Sequence, residues 1–136
     1  MKVEWFNLRR KEYYDKYYPI LEKWWKDWDF VPMTPNLLSQ NGLMVSNEGV
    51  NICAGWVFVT DSDFAFVGWL ISNKEEKELR KGCIEYLLVE LEKLAVKLGV
   101  KVTMSPAKNQ FLKKKLEKLG HNEFVDYNIN NYFKRI

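Results

Sequence analysis

The residues best placed to do chemistry lie where the apolar run Phe64 to Ile71 gives way to Ser72, Asn73 and a charged segment ending in Arg80-Lys81-Gly82. The apolar run is too short to span a membrane and rich in β-formers, so it predicts a buried strand. Leu79, Cys83, Leu87, Leu91, Leu94, Ala95 and Leu98 then recur at three- and four-residue spacing, which predicts a long amphipathic helix closed by Gly99. Val100 to Met104 predicts another strand. Strand, helix, strand is a crossover unit with parallel strands, and its ligand position lies off the carboxyl end of the first strand. A helix N-terminus there offers unpaired backbone N–H groups and a positive dipole end, a place for phosphate.

Other reactive residue types carry less. Cys53 and Cys83 make neither a disulfide framework nor a metal-binding spacing, and apolar neighbours make each a small buried hydrophobe. Lys113-Lys114-Lys115 is the one tight basic run, and on a helix its members point in different directions, as on a solvated face. With 21 Lys+Arg against 18 Asp+Glu the net charge is only +3, which argues against a nucleic-acid partner. Hydrophobic residues at 47% and aromatics at 15% exclude a disordered chain. The start MKVEWFNLRR has no apolar signal region and no apolar run reaches membrane length, so a reducing, cytoplasmic setting is expected, without a membrane partner.

The elements that must position the junction follow along the chain. Lys2 to Leu8 predicts a first strand. Arg9 to Trp28 predicts a helix with Tyr14, Tyr17, Tyr18, Leu21, Trp24, Trp25 and Trp28 on one stripe, read as core or cleft wall, with a kink or break at Pro19. Phe30 to Asn41 predicts a proline-punctuated loop with a helical turn at 36–38. Gly42 to Ser46 and Asn51 to Thr60 predict strands joined by the turn Asn47-Glu48-Gly49, and Asp61-Ser62-Asp63 turns into the central strand. If that turn centres on Ser62, Gly55 lies opposite Trp69 and Trp56 opposite Gly68, each indole covering a glycine across the ladder. Gly68 is also the position for a kink that opens the sheet. Ser105-Pro106-Ala107 predicts a loop, Asn109 to Leu119 a helix, and Phe124 to Ile136 two final strands.

This element order resembles the GNAT acyl-CoA N-acyltransferase superfamily over most of the chain. The wording of Tyr17-Tyr18-Pro19-Ile20-Leu21-Glu22-Lys23-Trp24-Trp25, Gly42-Leu43-Met44-Val45, Thr60-Asp61-Ser62-Asp63 and Val67-Gly68-Trp69 before Ile71-Ser72-Asn73 is most similar to small phage-encoded acetyltransferase-like members. The resemblance implies a single α+β domain over residues 1–136, with a mixed, mostly antiparallel sheet of about six to seven strands, a parallel pair splayed at its centre, and flanking helices. It implies acetyl-CoA as co-substrate, an amine acceptor of open identity, and a cytoplasmic setting, that of the host if the protein is phage-encoded. A protein partner or a second copy of the chain stays open.

The superfamily's acyl-CoA motif, Arg/Gln-x-x-Gly-x-Gly/Ala, falls on Leu79-Arg80-Lys81-Gly82-Cys83-Ile84. Gly82 matches; Leu79 stands for the Arg or Gln, and Ile84 for the second small residue that lets the backbone approach the pyrophosphate. Arg80 and Lys81 either supply phosphate charge or form an ordinary charged first turn. In a second motif, Asn109 and Glu117-Lys118-Leu119-Gly120 match. Leu116 stands where the family often carries a tyrosine that protonates the departing thiolate. His121, the only histidine, replaces a core phenylalanine and reads as a partly buried structural residue. The implied cofactor contacts are the backbone near Leu70, Ile71 and Ser72, the segment Leu79 to Ile84, and Asn109. No side chain in Phe64 to Ile71 can act as a base; Glu4, Ser105 and Tyr127 are candidates to reach the cleft, and no metal is expected. Three readings follow: an acetyl-CoA-dependent N-acetyltransferase, a GNAT-fold protein that has lost catalysis and binds a partner, and, ranked last on the modest positive charge, a nucleic-acid-associated protein.

Overall fold

The computed structural model describes residues 1–107, 110–126 and 129–136. Its strands are β1 (Lys2–Phe6), β2 (Asn41–Asn47), β3 (Val50–Val59), β4 (Phe64–Ser72), β5 (Val102–Ala107), β6 (Asn122–Asp126) and β7 (Ile129–Arg135). Its helices are α1 (Lys11–Asp27), α2 (Cys83–Lys97) and α3 (Gln110–Lys118), with a 3-10 turn at Pro35–Leu37. The strands form one sheet in the order β1-β2-β3-β4-β5-β7-β6, antiparallel throughout except for the parallel pair β4 and β5 at its middle. That is the expected α+β architecture.

Each sheet face is buried for a reason visible in the sequence. The aromatic stripe of α1, with buried Tyr17, Leu21, Trp24 and Trp25, packs on Phe6, Met44, Ala54, Trp56 and Ile71. On the other face Leu87, Leu88, Leu91 and Ala95 of α2 pack on Leu43, Val45, Cys53, Val57 and Val67. Both cysteines are buried in this second layer, where the Cys53 thiol donates to the Cys83 carbonyl at 3.5 Å. The β2–β3 turn places Glu48 (φ 51) and Gly49 (φ 78) in the left-handed region, the conformation whose twist suits a two-residue hairpin.

Four expectations need correction. α1 is one helix through Pro19 and not two abutting helices, because the missing N–H removes one bond while the buried stripe on either side holds the helix. Ser105-Pro106-Ala107 is not a loop but the end of β5, where β7 pairs with it and Pro106 faces no demand from β4. α2 starts at Cys83, not at Leu79, because Gly82 (φ 75) breaks the helical path just before it. Finally, Trp56 does lie opposite Gly68, but Gly55 has no single partner. Between the pairs Trp56–Gly68 and Ala54–Ile71, β4 carries two residues, Trp69 and Leu70, against the one on β3. The Trp56 indole covers Gly42 instead of Gly68: a Cβ at Gly42 would lie 2.8 Å from Trp56 Nε1 and 2.7 Å from Phe6 Cζ.

Candidate functional site

The β4 bulge reverses which face the strand's side chains address. Before it Val67 faces α2; after it Ile71 faces α1, and Leu70 turns toward α2 above Gly55. A Cβ at Gly55 would lie 2.7 Å from Leu70 Cδ2 and 3.0 Å from Leu91 Cδ1, so only glycine lets α2 sit this close. Trp69 is held at φ 56, a conformation bulky residues avoid. β4 and β5 pair only from Phe64–Val102 to Phe66–Met104, although β4 runs on to Ser72 and β5 to Ala107. Beyond that point the two parallel strands part, the bulge bending one and β7 retaining the other.

Backbone groups line this opening. Asn73 N–H donates to Ile52 O at 2.8 Å on the β3 side, so by strand alternation Ser72 directs its N–H and C=O into the splay. Its carbonyl accepts from Trp28 Nε1 at 2.8 Å, and its hydroxyl from Arg80 at 3.3 Å. The Arg80 guanidinium also stacks on the Trp28 ring at 5.3 Å, with the Lys74 ammonium 5.0 Å from the same ring. At the start of α2, Cys83 N–H reaches Arg80 O and Tyr86 N–H reaches Gly82 O. Gly82 and Ile84 keep backbone N–H groups with no backbone acceptor among the described residues. Nothing lies within 4 Å of a Cβ built on Gly82, so the approach to that corner is open.

Two cavities meet at this splay. One, of about 270 Å³, is lined by Trp28, Phe30, Leu70, Ile71, Ser72, Ile84, Leu112 and Lys115, and so joins groups from both faces of the sheet. The other, of about 560 Å³, lies toward α1 and is lined by Phe30, Phe58, Phe66, Val67, Gly68, Trp69 and Pro106. Phe30 belongs to both. Lys115, from the lysine run, contacts the Glu85 carboxylate. Burial, the largest single influence, raises the Glu85 pKa, but the bond to Lys115, a bond to its own backbone N–H and the charges of Lys115 and Lys118 together leave the carboxyl below its ordinary value.

The structure thus gathers Leu70, Ile71, Ser72, Arg80 and Ile84, with Gly82 beside them. Leu79 and Cys83 turn into the core, Leu79 offering its carbonyl to Asn47 at 3.0 Å. Lys81 points outward to Glu78. Asn109 and Tyr127 lie outside the described residues. Glu4 is on β1, three strands from β4, and is not brought to the splay. There it accepts from Tyr17 at 2.7 Å and from Lys16, which hold its carboxyl below the ordinary value, while burial and Glu4 push the Tyr17 phenol up to about 12. Ser105 is 3% exposed and its hydroxyl has no partner among the described residues, but it lines neither cavity. Leu116 is fully buried. Phe30 and Lys115 were not legible as site residues, and Trp28 only as one member of a stripe read as core or cleft wall. Trp28 belongs to the aromatic stripe and Lys115 to a run read as solvated; the one available sign was Phe30, an aromatic in a proline-rich loop.

No family model matches the chain, and no curated protein does. Solved structures match it over nearly its whole length. The ribosomal-protein-S18-alanine N-acetyltransferase of Escherichia coli is similar at TM-score 0.69 and 15% identity, over 97% of this chain and 90% of its own. The GNAT domain of S. lividans PAT gives 0.71 at 12% identity, over 98% and 89%. Rv2747 of Mycobacterium tuberculosis, solved in complex with CoA, gives 0.77 at 9% identity, over 100% and 99%. The fold is therefore that of GNAT acyl-CoA N-acetyltransferases.

Proposed function

We propose that this protein is an acetyl-CoA-dependent N-acetyltransferase, with acetyl-CoA entering as co-substrate and a primary amine as acceptor. The observation that carries the reading is the parting of β4 from β5 after Phe66 and Met104, which leaves strand backbone and a cavity where a sheet would otherwise be closed. Neighbours of the same fold are solved with CoA or acetyl-CoA.

This chain supplies the groups that bind and orient acetyl-CoA, and water carries the protons. The diphosphate is assigned to the start of α2, where the free N–H groups of Gly82 and Ile84 and the dipole favour anions and Arg80 adds a fixed cation. Ile84 narrows that corner compared with a small residue but lines the cavity instead of filling it. The pantetheine arm takes the splay, where the Ser72 N–H is available to an amide carbonyl. The amine lone pair attacks the thioester carbonyl, the C–S bond breaks with its electrons leaving on CoA as thiolate, and the nitrogen gives up one N–H proton to water. Leu116 has no proton to give, so water protonates the thiolate.

A second reading, a GNAT-fold binding module without turnover, draws on two observations. Leu116 is buried, and among the described residues Lys115 is the only ionisable side chain lining either cavity. Thiol release from acetyl-CoA over a panel of primary amines separates the two. Amine-dependent release supports transfer; acetyl-CoA binding with no release above the uncatalysed rate supports the module.

A further inference from the structure

We infer that the acceptor is an aromatic amine, uncharged at neutral pH, whose ring occupies the cavity bounded by Phe30, Phe58, Phe66, Trp69 and Pro106; this rests on the acetyl-transfer reading. That cavity, about 560 Å³, is lined among the described residues by apolar side chains and glycine, and its size suits a fused-ring ligand. It opens on the splay and shares Phe30 with the smaller cavity assigned to the thioester arm, so a ring seated there holds a substituent toward the carbonyl.

The apolar lining is maintained against two costs. Phe30 is 57% exposed, Trp69 55% and Phe66 38%, which places large apolar groups in water on one patch. Trp69 does so from a left-handed backbone conformation that a tryptophan adopts only under constraint. Strain and exposure at one residue, aimed into one cavity, point to a ligand whose ring faces those side chains.

Charge decides the nitrogen. No carboxylate lines either cavity among the described residues: Lys115 is the one charged lining group, its partner Glu85 lies outside the lining, and Arg80 and Lys74 add positive charge over the Trp28 ring. An ammonium would enter without a counter-ion. The aromatic faces attract cations, but a bound cation must still shed a proton before it can attack, and no described lining group accepts one. At neutral pH a lysine-like amine is free base in only roughly one molecule in 10³, from its ordinary pKa near 10.4. An amine attached to an aromatic ring is already neutral. Its lone pair forms the N–C bond, the thiolate carries off the C–S electrons, and the N–H proton passes to water.

The test compares 5-aminoindole with 5-(aminomethyl)indole, alike in shape but neutral and cationic respectively at pH 7. Full-length protein, acetyl-CoA and each amine are assayed by thiol release and product mass. The expected result is kcat/KM at least about a hundredfold higher for 5-aminoindole. Trp69→Gly removes the ring while relieving the backbone, so it should fold as well as the parent yet raise KM for 5-aminoindole about tenfold or more. Phe30→Ser, at an exposed position, should act in the same direction. Equal or better turnover of 5-(aminomethyl)indole, or unchanged KM in both variants, overturns the inference. Acetyl-CoA binding is titrated separately: binding with turnover of charged alkylamines alone overturns the acceptor class and leaves acetyl transfer standing. If acetyl-CoA does not bind, the transfer reading falls, and quenching of tryptophan fluorescence decides the cavity. Preferential quenching by 5-aminoindole, lost in Trp69→Gly, supports its occupant; no preference overturns it.

Discussion

At the scale of single residues, His121 shows how the interior constrains a titratable group. It is 8% exposed and shares a 3.2 Å contact with the Leu116 carbonyl through Nδ1. Burial, with Lys134 nearby, lowers its pKa from the ordinary 6.5. As pH falls below 6.5 the unfolded chain binds a proton before the folded one does, so stability declines until the folded ring is protonated too. Above 6.5 the group contributes no slope. Glu4 and Glu85, both lowered from 4.5, lose their contributions only at more acid pH. Urea denaturation between pH 7 and about pH 5 should therefore show a falling stability that His121→Phe flattens; an unchanged slope would assign it to other groups. Gly42 tests packing in the same way. Its Cβ would meet two fully buried rings, so Gly42→Ala should cost about 1–3 kcal/mol by urea denaturation, as overpacking does.

At the scale of elements, the junction of β4 and α2 is the part whose geometry most directly serves the proposed site. Gly82 adopts φ 75 with no heavy atom near its missing Cβ, so the demand is on the backbone alone. Gly82→Ala should cost about 1 kcal/mol and Gly82→Asn less, read from urea midpoints at constant m-value. Equal losses would mean that something other than φ fixes the residue. Much of this region was legible: the apolar run gave the strand, the three-and-four spacing gave the helix, and the Trp56–Gly68 pairing followed from the turn at Ser62. Gly68 marked where the sheet would open, but the reversal of faces by the two-residue bulge at Trp69 and Leu70 was not legible. One extra residue leaves composition and local pattern unchanged while reversing every side chain after it. The same limit hid the strand character of Pro106, which depends on the absence of a β4 partner beyond Met104.

At the scale of the whole molecule, architecture and site were unequally readable. Hydrophobic period and turn chemistry act locally and repeat along the chain, so the order of elements, the parallel pair and the two buried faces follow from them. The site is assembled from residues far apart in sequence whose types have ordinary structural uses. Trp28 caps the Ser72 carbonyl from across the fold, Phe30 joins two cavities, and Lys115 reaches Glu85 from a run that looks merely solvated. Glu4 illustrates the converse: a carboxylate suited to act as a base is held by Tyr17 and Lys16 at the far edge of the sheet.

The central claim is that the opened β4–β5 pair and the start of α2 hold acetyl-CoA, and calorimetric titration with acetyl-CoA tests it most directly. Wild-type protein should bind with a Kd in the micromolar range, and Arg80→Glu should weaken binding by tenfold or more while leaving the unfolding free energy within about 0.5 kcal/mol. No heat at millimolar acetyl-CoA, or equal affinity in both proteins, would contradict the account.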